Sequence, residues 1–315
     1  MILTVTLSPC VDKTYYTGIW EPGDTVRAHK SIDMAAGKGV NVARVVNTLG
    51  GKARAFVVTG GRTGEYIRDM LETEEEFETV FCQVSGNSRV ISTVLDETTG
   101  KFTTFVEPGP KLSSEEQGAV VESAVAAMDG CTSVALSGPA PDDTSAGMAR
   151  LILTEAKKRS LKTVLDSRGA TLIEGLKAKP DMTKPNVAEA EELLGVTLST
   201  EKDYLAAINA YHERGVGIVV LSLGEKGAVV SDGDAILRAS PPKVQAVNPT
   251  GSGDSMVAAC TMGLDKDLGA EEIARRGVAA GTANTTVWKA GGFSSDVYER
   301  LFSTIIGESM EPKGN

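Results

Sequence analysis

The residue types with most chemical potential lie in the run Val247-Asn248-Pro249-Thr250-Gly251-Ser252-Gly253-Asp254-Ser255, which leads into the apolar Met256-Val257-Ala258-Ala259-Cys260. Its glycines permit a tight turn in which backbone N–H groups converge. Pro249 is expected to end a preceding strand and a helix to start at about Asp254. Unpaired N–H groups and the helix dipole both favour negative charge at such a turn, so it reads as an anion site. Asp254 itself has two readings: a simple N-cap of that helix, or a carboxylate placed to take a proton from a bound group. A second glycine cluster, Ala35-Ala36-Gly37-Lys38-Gly39-Val40-Asn41-Val42-Ala43-Arg44, opens another helix. Its apolar side includes Val42, Val46 and Leu49, and Gly50 is its natural stop. Asn41 falls in the first turn, where a side chain can face a ligand at the helix mouth.

Other chemistries are excluded cheaply. His29 and His212 are the two histidines, too few for a multi-histidine metal site, and both read as surface or lid residues. There is no G-x-S-x-G nucleophile elbow. Lys38 follows Gly37 but precedes Gly39, so the N-terminal cluster is not a Walker loop, and no G-x-G-x-x-G fingerprint follows the first strand.

The elements that must position these residues alternate between strand and helix. Met1 to Leu7 reads as a first strand, because it lacks the basic flank and long apolar run of a signal peptide. Val134-Ala135-Leu136 is a short apolar run. A helical stretch from about Asp142 to Lys158 follows, with Met148, Leu151, Ile152 and Ala156 on one face. Thr163-Val164-Leu165 is a strand, Glu189 to Leu194 a short helix, and Thr200 caps a helix ending near Arg214. Ile218-Val219-Val220-Leu221 is a buried-type strand. This rhythm indicates βαβ units and a largely parallel sheet. Segments 14–32 and 89–106 break it with polar, β-prone residues and turn signals. They predict a small antiparallel sheet attached to the α/β body, either a lid or dimer surface or a plain structural excursion.

Composition narrows the function classes. The 315 residues carry 32 Lys plus Arg against 42 Asp plus Glu, a net charge of −10. A protein that grips nucleic acid or an anionic membrane usually shows the opposite balance, and fifteen aromatics make a poor base-stacking platform. No run approaches 18 uninterrupted apolar residues, so no membrane span is expected. Cys10, Cys82, Cys131 and Cys260 form no C-x-x-C pair, and buried thiols in a reducing, cytoplasmic compartment are expected.

Together and in this order, the G-K-G-x-N segment and the Gly251–Asp254 loop resemble the PfkB (ribokinase-like) family of carbohydrate kinases. The likeness is greatest to its 1-phosphofructokinase and tagatose-6-phosphate kinase branch. Thr4-Val5-Thr6-Leu7-Ser8-Pro9-Cys10-Val11-Asp12 is similar to that branch's opening T-L-N-P-x-x-D. Lys184-Pro185-Asn186-Val187-Ala188-Glu189 is similar to its K-P-N-x-x-E segment, and Ser222-Leu223-Gly224-Glu225-Lys226-Gly227 to its S-L-G-x-x-G turn. The likeness runs from residue 2 to about residue 305. It implies a single domain over 1–315, a three-layer α/β/α sandwich with a small β-sheet lid, and a homodimer paired through that lid.

It also implies ATP-dependent phosphorylation of a ketohexose phosphate, with Mg²⁺. Asp254 would be the general base, while Gly251, Ser252 and Gly253 would offer N–H groups to the moving phosphoryl. Asp12, Gly37, Lys38 and Asn41 would hold the sugar, with Arg27, Arg89 and Lys38 on its existing phosphate. Lys184, Asn186, Ser222, Gly224, Gly227 and Asn284 would border the nucleotide. Asn186 and Glu189 would act on the metal through water. Three positions depart from the family pattern: Ala36 for a glycine, Pro139 where serine is usual, and Arg168 where a small residue is usual. A kinase of another small sugar or nucleoside, or a sugar- or nucleotide-binding sensor on the same fold, is the alternative.

Overall fold

The computed structural model describes residues 1–310. Fourteen strands are present among them: β1 (Ile2–Thr6), β2 (Cys10–Thr17), β3 (Lys30–Ala36), β4 (Ala53–Gly60), β5 (Glu78–Val84), β6 (Arg89–Asp96), β7 (Phe102–Val106), β8 (Ser133–Ser137), β9 (Lys162–Asp166), β10 (Met182–Thr183), β11 (Ile218–Ser222), β12 (Ala228–Ser231), β13 (Ile236–Ala239) and β14 (Gly307–Ser309). Ten form one sheet in the order β14-β13-β12-β11-β10-β9-β8-β1-β4-β5. From β11 to β5 the pairing is parallel, and β12, β13 and β14 extend it antiparallel.

Side-chain alternation along the strands divides the core in two. Val134, Leu136, Val219 and Leu221 enter one apolar cluster, whereas Ala135 and Val220 enter the other. Helices 38–48, 61–74, 252–265, 270–285 and 295–302 contribute to the Ala135 side. Helices 114–126, 147–158, 169–176, 187–194 and 201–213 contribute to the opposite one. The result is the expected three-layer α/β/α sandwich, whose parallel strands are apolar on both faces because helices cover both. No helix among the described residues is long and apolar enough to cross a membrane.

The two irregular segments do pair into a second sheet, in the order β3-β2-β6-β7. It is larger than expected: it begins at Cys10 rather than Thr14 and runs to Ala36. It is also mixed rather than antiparallel, because β2 lies parallel to β6, from Cys10 beside Arg89 to Thr17 beside Asp96. Strands so far apart in sequence need no hairpin, and the connection between them runs through the large sheet. Residues 18–29 hold no regular strand.

Other boundaries shifted for local reasons. Asp142 caps a short 3₁₀ turn, Asp143–Ser145, and the α-helix starts only at Gly147. Met148, Ile152 and Ala156 are buried as expected, but Leu151 is exposed, one position off the apolar stripe. Thr200 caps the 201–213 helix through a capping box with Asp203. Pro249 ends no strand, since the chain from Ser240 to Thr250 is irregular. The four thiols are free and buried. His29 is exposed and pairs with Glu97 of the second sheet's β6–β7 connection at 2.8 Å. His212 is half-buried and bridges the Val216 carbonyl and Ser231 Oγ, each at 3.0 Å.

Candidate active site

Both glycine clusters lie at carboxyl ends of the parallel strands, the edge where open α/β sheets bind ligands. The N-terminal cluster follows from close packing. Gly37 precedes the Lys38–Thr48 helix at φ 146°, and a Cβ there would come 2.6 Å from Thr6 Cγ2. A Cβ at Gly39 would lie 2.4 Å from Thr6 Oγ1. Glycine at both positions seats the helix N-terminus directly on the end of β1.

In the C-terminal loop the helix begins at Ser252, two residues earlier than expected, and its N-cap is Gly251 with φ 82°. A Cβ on Gly251 would meet Ala290 Cβ at 2.5 Å. Asp254 is therefore no N-cap. Its carboxylate is 7% exposed, and Oδ2 accepts a hydrogen bond from Asn41 Nδ2 at 2.8 Å. Burial raises the Asp254 pKa to about 6, against the lowering effect of Lys38, Asn41 and Lys184.

Around Asp254 is a charge cluster that joins four segments. Lys38 Nζ lies 3.1 Å from Asp166 Oδ2 and 3.4 Å from Glu189 Oε1. Lys184 Nζ lies 3.2 Å from Asp166 Oδ1 and is 3% exposed. Burial would depress the Lys38 pKa, but Asp166, Glu189 and Asp254 outweigh it and raise it. Asp166 is desolvated, yet Lys184 and Lys38 hold its pKa below the ordinary carboxylate value. A Cβ on Gly253 would stand 3.4 Å from Lys184 Nζ, so the loop's backbone and a buried ammonium face the same space.

Asp166 escaped the sequence reading, although its place at the end of the Thr163-Val164-Leu165 strand was a usable signal. Arg44 escaped it too. It is 5% exposed, donates from Nη1 to Asn41 Oδ1 at 2.9 Å, and pairs with Glu75 at 2.6 Å. Its i,i+3 spacing from Asn41 puts both polar side chains on one helix face.

The remaining expected residues divide by location. Asp12, on β2, has no side-chain hydrogen bond among the described residues, and burial raises its pKa. Arg89 opens β6; one guanidinium nitrogen donates to the Ser8 carbonyl at 3.2 Å, while its buried Nε has no partner among the described residues. Arg89 lines a cleft of about 480 Å³ together with Pro139 and Arg168, two of the departures. Arg27 is not brought to that cleft: it lines a separate hollow of about 250 Å³ with Trp20 and Asp24 in the irregular 18–29 segment. Lys38 points to Asp166 and Glu189 rather than joining the two arginines.

On the far side, Asn186 and Glu189 close a reciprocal capping box on the 187–194 helix at 2.8 and 3.0 Å. Ser222 Oγ donates to the Pro185 carbonyl at 3.2 Å. Gly224 and Gly227 adopt φ 60° and 84°, and a Cβ on Gly227 would come 2.0 Å from the Ala239 carbonyl oxygen. Asn284 is 1% exposed and braces the phosphate-type loop. It donates to the Thr250 carbonyl at 2.8 Å and accepts from Gly291 N at 2.7 Å, so both ends of its amide are bonded to the protein.

A buried carboxylate thus stands in the first turn of a glycine-led helix, within the field of two lysines at the carboxyl edge of a parallel sheet. The family model described as pfkB family carbohydrate kinase matches residues 5–295, and the chain belongs to that family. It is similar to the tagatose-6-phosphate kinase of Staphylococcus epidermidis, 30% identical over 97% of this chain and 98% of that one. It is likewise similar to the 1-phosphofructokinase of Bacillus subtilis, 32% identical over 90% of this chain and 92% of that one. Among solved structures, phosphofructokinase-2 from Escherichia coli superposes with a TM-score of 0.89 at 29% identity, covering 96% of this chain and 98% of that one.

Proposed function

We propose that this kinase transfers the γ-phosphoryl of ATP to a hydroxyl of a ketohexose phosphate (fructose 1-phosphate, fructose 6-phosphate or tagatose 6-phosphate), forming a bisphosphate. The observation that carries this reading is the buried Asp254 carboxylate at the mouth of the Gly251–Gly253 turn, within the field of Lys38 and Lys184. Asp254 would take the hydroxyl proton through the oxygen that Asn41 leaves free. The N–H groups of Gly251, Ser252 and Gly253 would meet the charge on the transferred phosphoryl. Phosphoryl transfer needs mainly positioning and electrostatic stabilisation, and these groups offer both.

Lys38 fits this centre better than the acceptor's existing phosphate, because its ammonium faces Asp166 and Glu189. Asp12 and Asn41 would hold sugar hydroxyls beside Gly37. The turn with Ser222, Gly224 and Gly227, together with Lys184 and Asn186, would border the nucleotide. Exposed Phe102, Phe105 and Val106 on β7 support pairing of two copies through the second sheet, acting as a lid. Four free buried thiols support a cytoplasmic, reducing location. One large sheet running through most of the chain supports a single domain over 1–315.

Mg²⁺ fits the residues present. With Asp254 ionised, Lys38, Lys184, Asp166, Glu189 and Asp254 sum to one net negative charge, and an entering nucleotide adds more. No group of three His, Cys, Asp or Glu side chains among the described residues forms a metal cage. That suits a hard cation held by nucleotide phosphates, waters and one carboxylate. Glu189 would hold it through water, with Asn186 keeping that carboxylate in place, and the bound ion would neutralise charge on the phosphates. Turnover should vanish in excess chelator, and Glu189→Gln should raise the Mg²⁺ concentration needed for half-maximal rate. Undiminished turnover in chelator rules the metal out.

Arg89 and its unpartnered Nε support the phosphorylated acceptor, and Arg27 would join it only if the 18–29 segment moved inward. A charge-assisted hydrogen bond contributes about 1.5–3 kcal/mol, so Arg89→Ala should lower kcat/KM for the phosphosugar by roughly 10- to 150-fold. Residual turnover of free fructose should barely change. Equal impairment on both acceptors overturns the assignment of Arg89.

A further inference from the structure

Arg44 is buried inside a helix whose neighbouring residues Val42, Val45 and Val46 are fully buried apolar side chains. Its guanidinium is committed on every side. Nε donates to Glu75 Oε1 at 2.8 Å, and Nη2 approaches the same oxygen at 2.6 Å. Nη2 also donates to the Ala35 carbonyl at 3.3 Å, and Nη1 to the Ala290 carbonyl at 3.2 Å. The remaining bond runs from Nη1 to Asn41 Oδ1 at 2.9 Å.

That last contact has a chemical consequence. Arginine has five N–H donors and no acceptor, so the end of the Asn41 amide facing it must be the oxygen. The amide nitrogen is then forced toward Asp254 Oδ2, 2.8 Å away. Ionised Asp254 only accepts and so draws the same nitrogen, but without Arg44 nothing holds the oxygen end of the amide, and the side chain can turn away from the carboxylate. The anchor reaches two further parts of the site. Ala35 is the penultimate residue of β3 in the second sheet, and Ala290 packs against the position where Gly251 lacks a side chain.

Resting on the assignment of Asp254 as base, we propose that Arg44 is a positioning residue for phosphoryl transfer: it fixes the Asn41 amide so that Asp254 stays ionised and aimed at the acceptor hydroxyl. The charged groups acting on Asp254 are Lys38 on the same helix as Asn41, Asp166 at the end of β9, and Lys184 following β10. None of them touches Arg44 directly in the described hydrogen bonds and ion pairs. Removing Arg44 therefore leaves their fields in place; it strips Glu75 and the Ala35 and Ala290 carbonyls of a donor, and at Asp254 itself it acts through the Asn41 hydrogen bond, which favours the ionised carboxylate.

Arg44→Met and Arg44→Lys, each measured alone and combined with Asp254→Asn, test the proposal through kcat, KM and the pH dependence of kcat. Lysine keeps a positive charge for Glu75 but lacks the planar fork that spans Glu75 and Asn41 at once, so it decides the matter if the methionine variant fails to fold. Expected for either variant is a kcat lowered roughly 10- to 100-fold with sugar KM within about 3-fold, and an acidic limb moved upward in pH. In the Asp254→Asn background the same change should cost less than about 2-fold, because its effect passes through that carboxylate. A variant with wild-type kcat and an unmoved acidic limb overturns the proposal. An equal fractional loss in both backgrounds overturns it as well, since that marks a merely structural role. If Asp254→Asn alone retains more than about a tenth of kcat, the base assignment fails, and this proposal fails with it for a different and recognisable reason.

Discussion

Asp254→Asn should cut kcat by about 10²–10⁴-fold while leaving sugar and nucleotide affinity nearly intact, the usual worth of a positioned base. The carboxylate caps no helix, since Gly251 holds that position, and its one hydrogen-bond donor among the described residues is the Asn41 side chain. Loss of fold can be separated from loss of chemistry. Burial raises the folded-state pKa of Asp254 to about 6, above the ordinary 3.8, so the ionised form is the costly one in the folded protein. That cost is absent below about pH 3.8, where the group is protonated folded or unfolded, and it is complete above about pH 6. The asparagine variant should therefore be at least as stable as wild type at pH 8 while nearly inactive there. In wild type the rate should rise through about pH 6 as the base ionises. More than about a tenth of wild-type kcat, under conditions where chemistry limits the rate, removes Asp254 from the mechanism.

The second large effect belongs to Asp166. Its two oxygens separate Lys38 and Lys184, each near 3 Å, and the carboxylate is fully buried. Removing one partner of a buried ion pair typically costs about 3–5 kcal/mol, because the charge left behind has neither water nor a counter-ion. Asp166→Ala should lower the urea unfolding free energy at neutral pH by that order and depress kcat, since both ammonium groups lose their aim. Adding Lys184→Met should restore part of the stability but none of the activity. A single variant that costs less than about 1 kcal/mol shows that water compensates Lys184, and that Asp166 does not organise the site.

Much of this arrangement was legible in the sequence because it is locally encoded. Gly37 and Gly39 answer to a helix seated on Thr6, and Gly251 to a left-handed turn against Ala290. Such positions announce themselves as glycines in an unusual pattern. The apolar runs of β8, β9 and β11 likewise announce a sheet covered on both faces. Long-range pairing was less legible. Nothing in residues 10–17 states that they lie parallel to 89–96, so local pattern alone predicts a shorter, antiparallel second sheet. Leu151 looked like core from its spacing, yet one step around the helix exposed it. Asp166 meets Lys38 across 128 residues and Arg44 meets Glu75 across 31, relations no local pattern carries. Asn284 was expected beside the nucleotide; its amide is bonded to the Thr250 carbonyl and the Gly291 N–H, partners 34 and 7 residues away.

The most direct measurement is ADP release by the purified protein with Mg²⁺ and ATP across fructose 1-phosphate, fructose 6-phosphate, tagatose 6-phosphate, fructose, ribose and adenosine. At least one of the three phosphorylated ketohexoses should give a kcat/KM at least 10-fold above every unphosphorylated acceptor, the lower bound set by one charge-assisted contact to the phosphate. Free fructose, ribose or adenosine turned over as efficiently as the phosphosugars would contradict the proposed acceptor. Tight sugar or nucleotide binding with no ADP release from any of the six would contradict catalysis itself and leave a binding protein on a kinase fold.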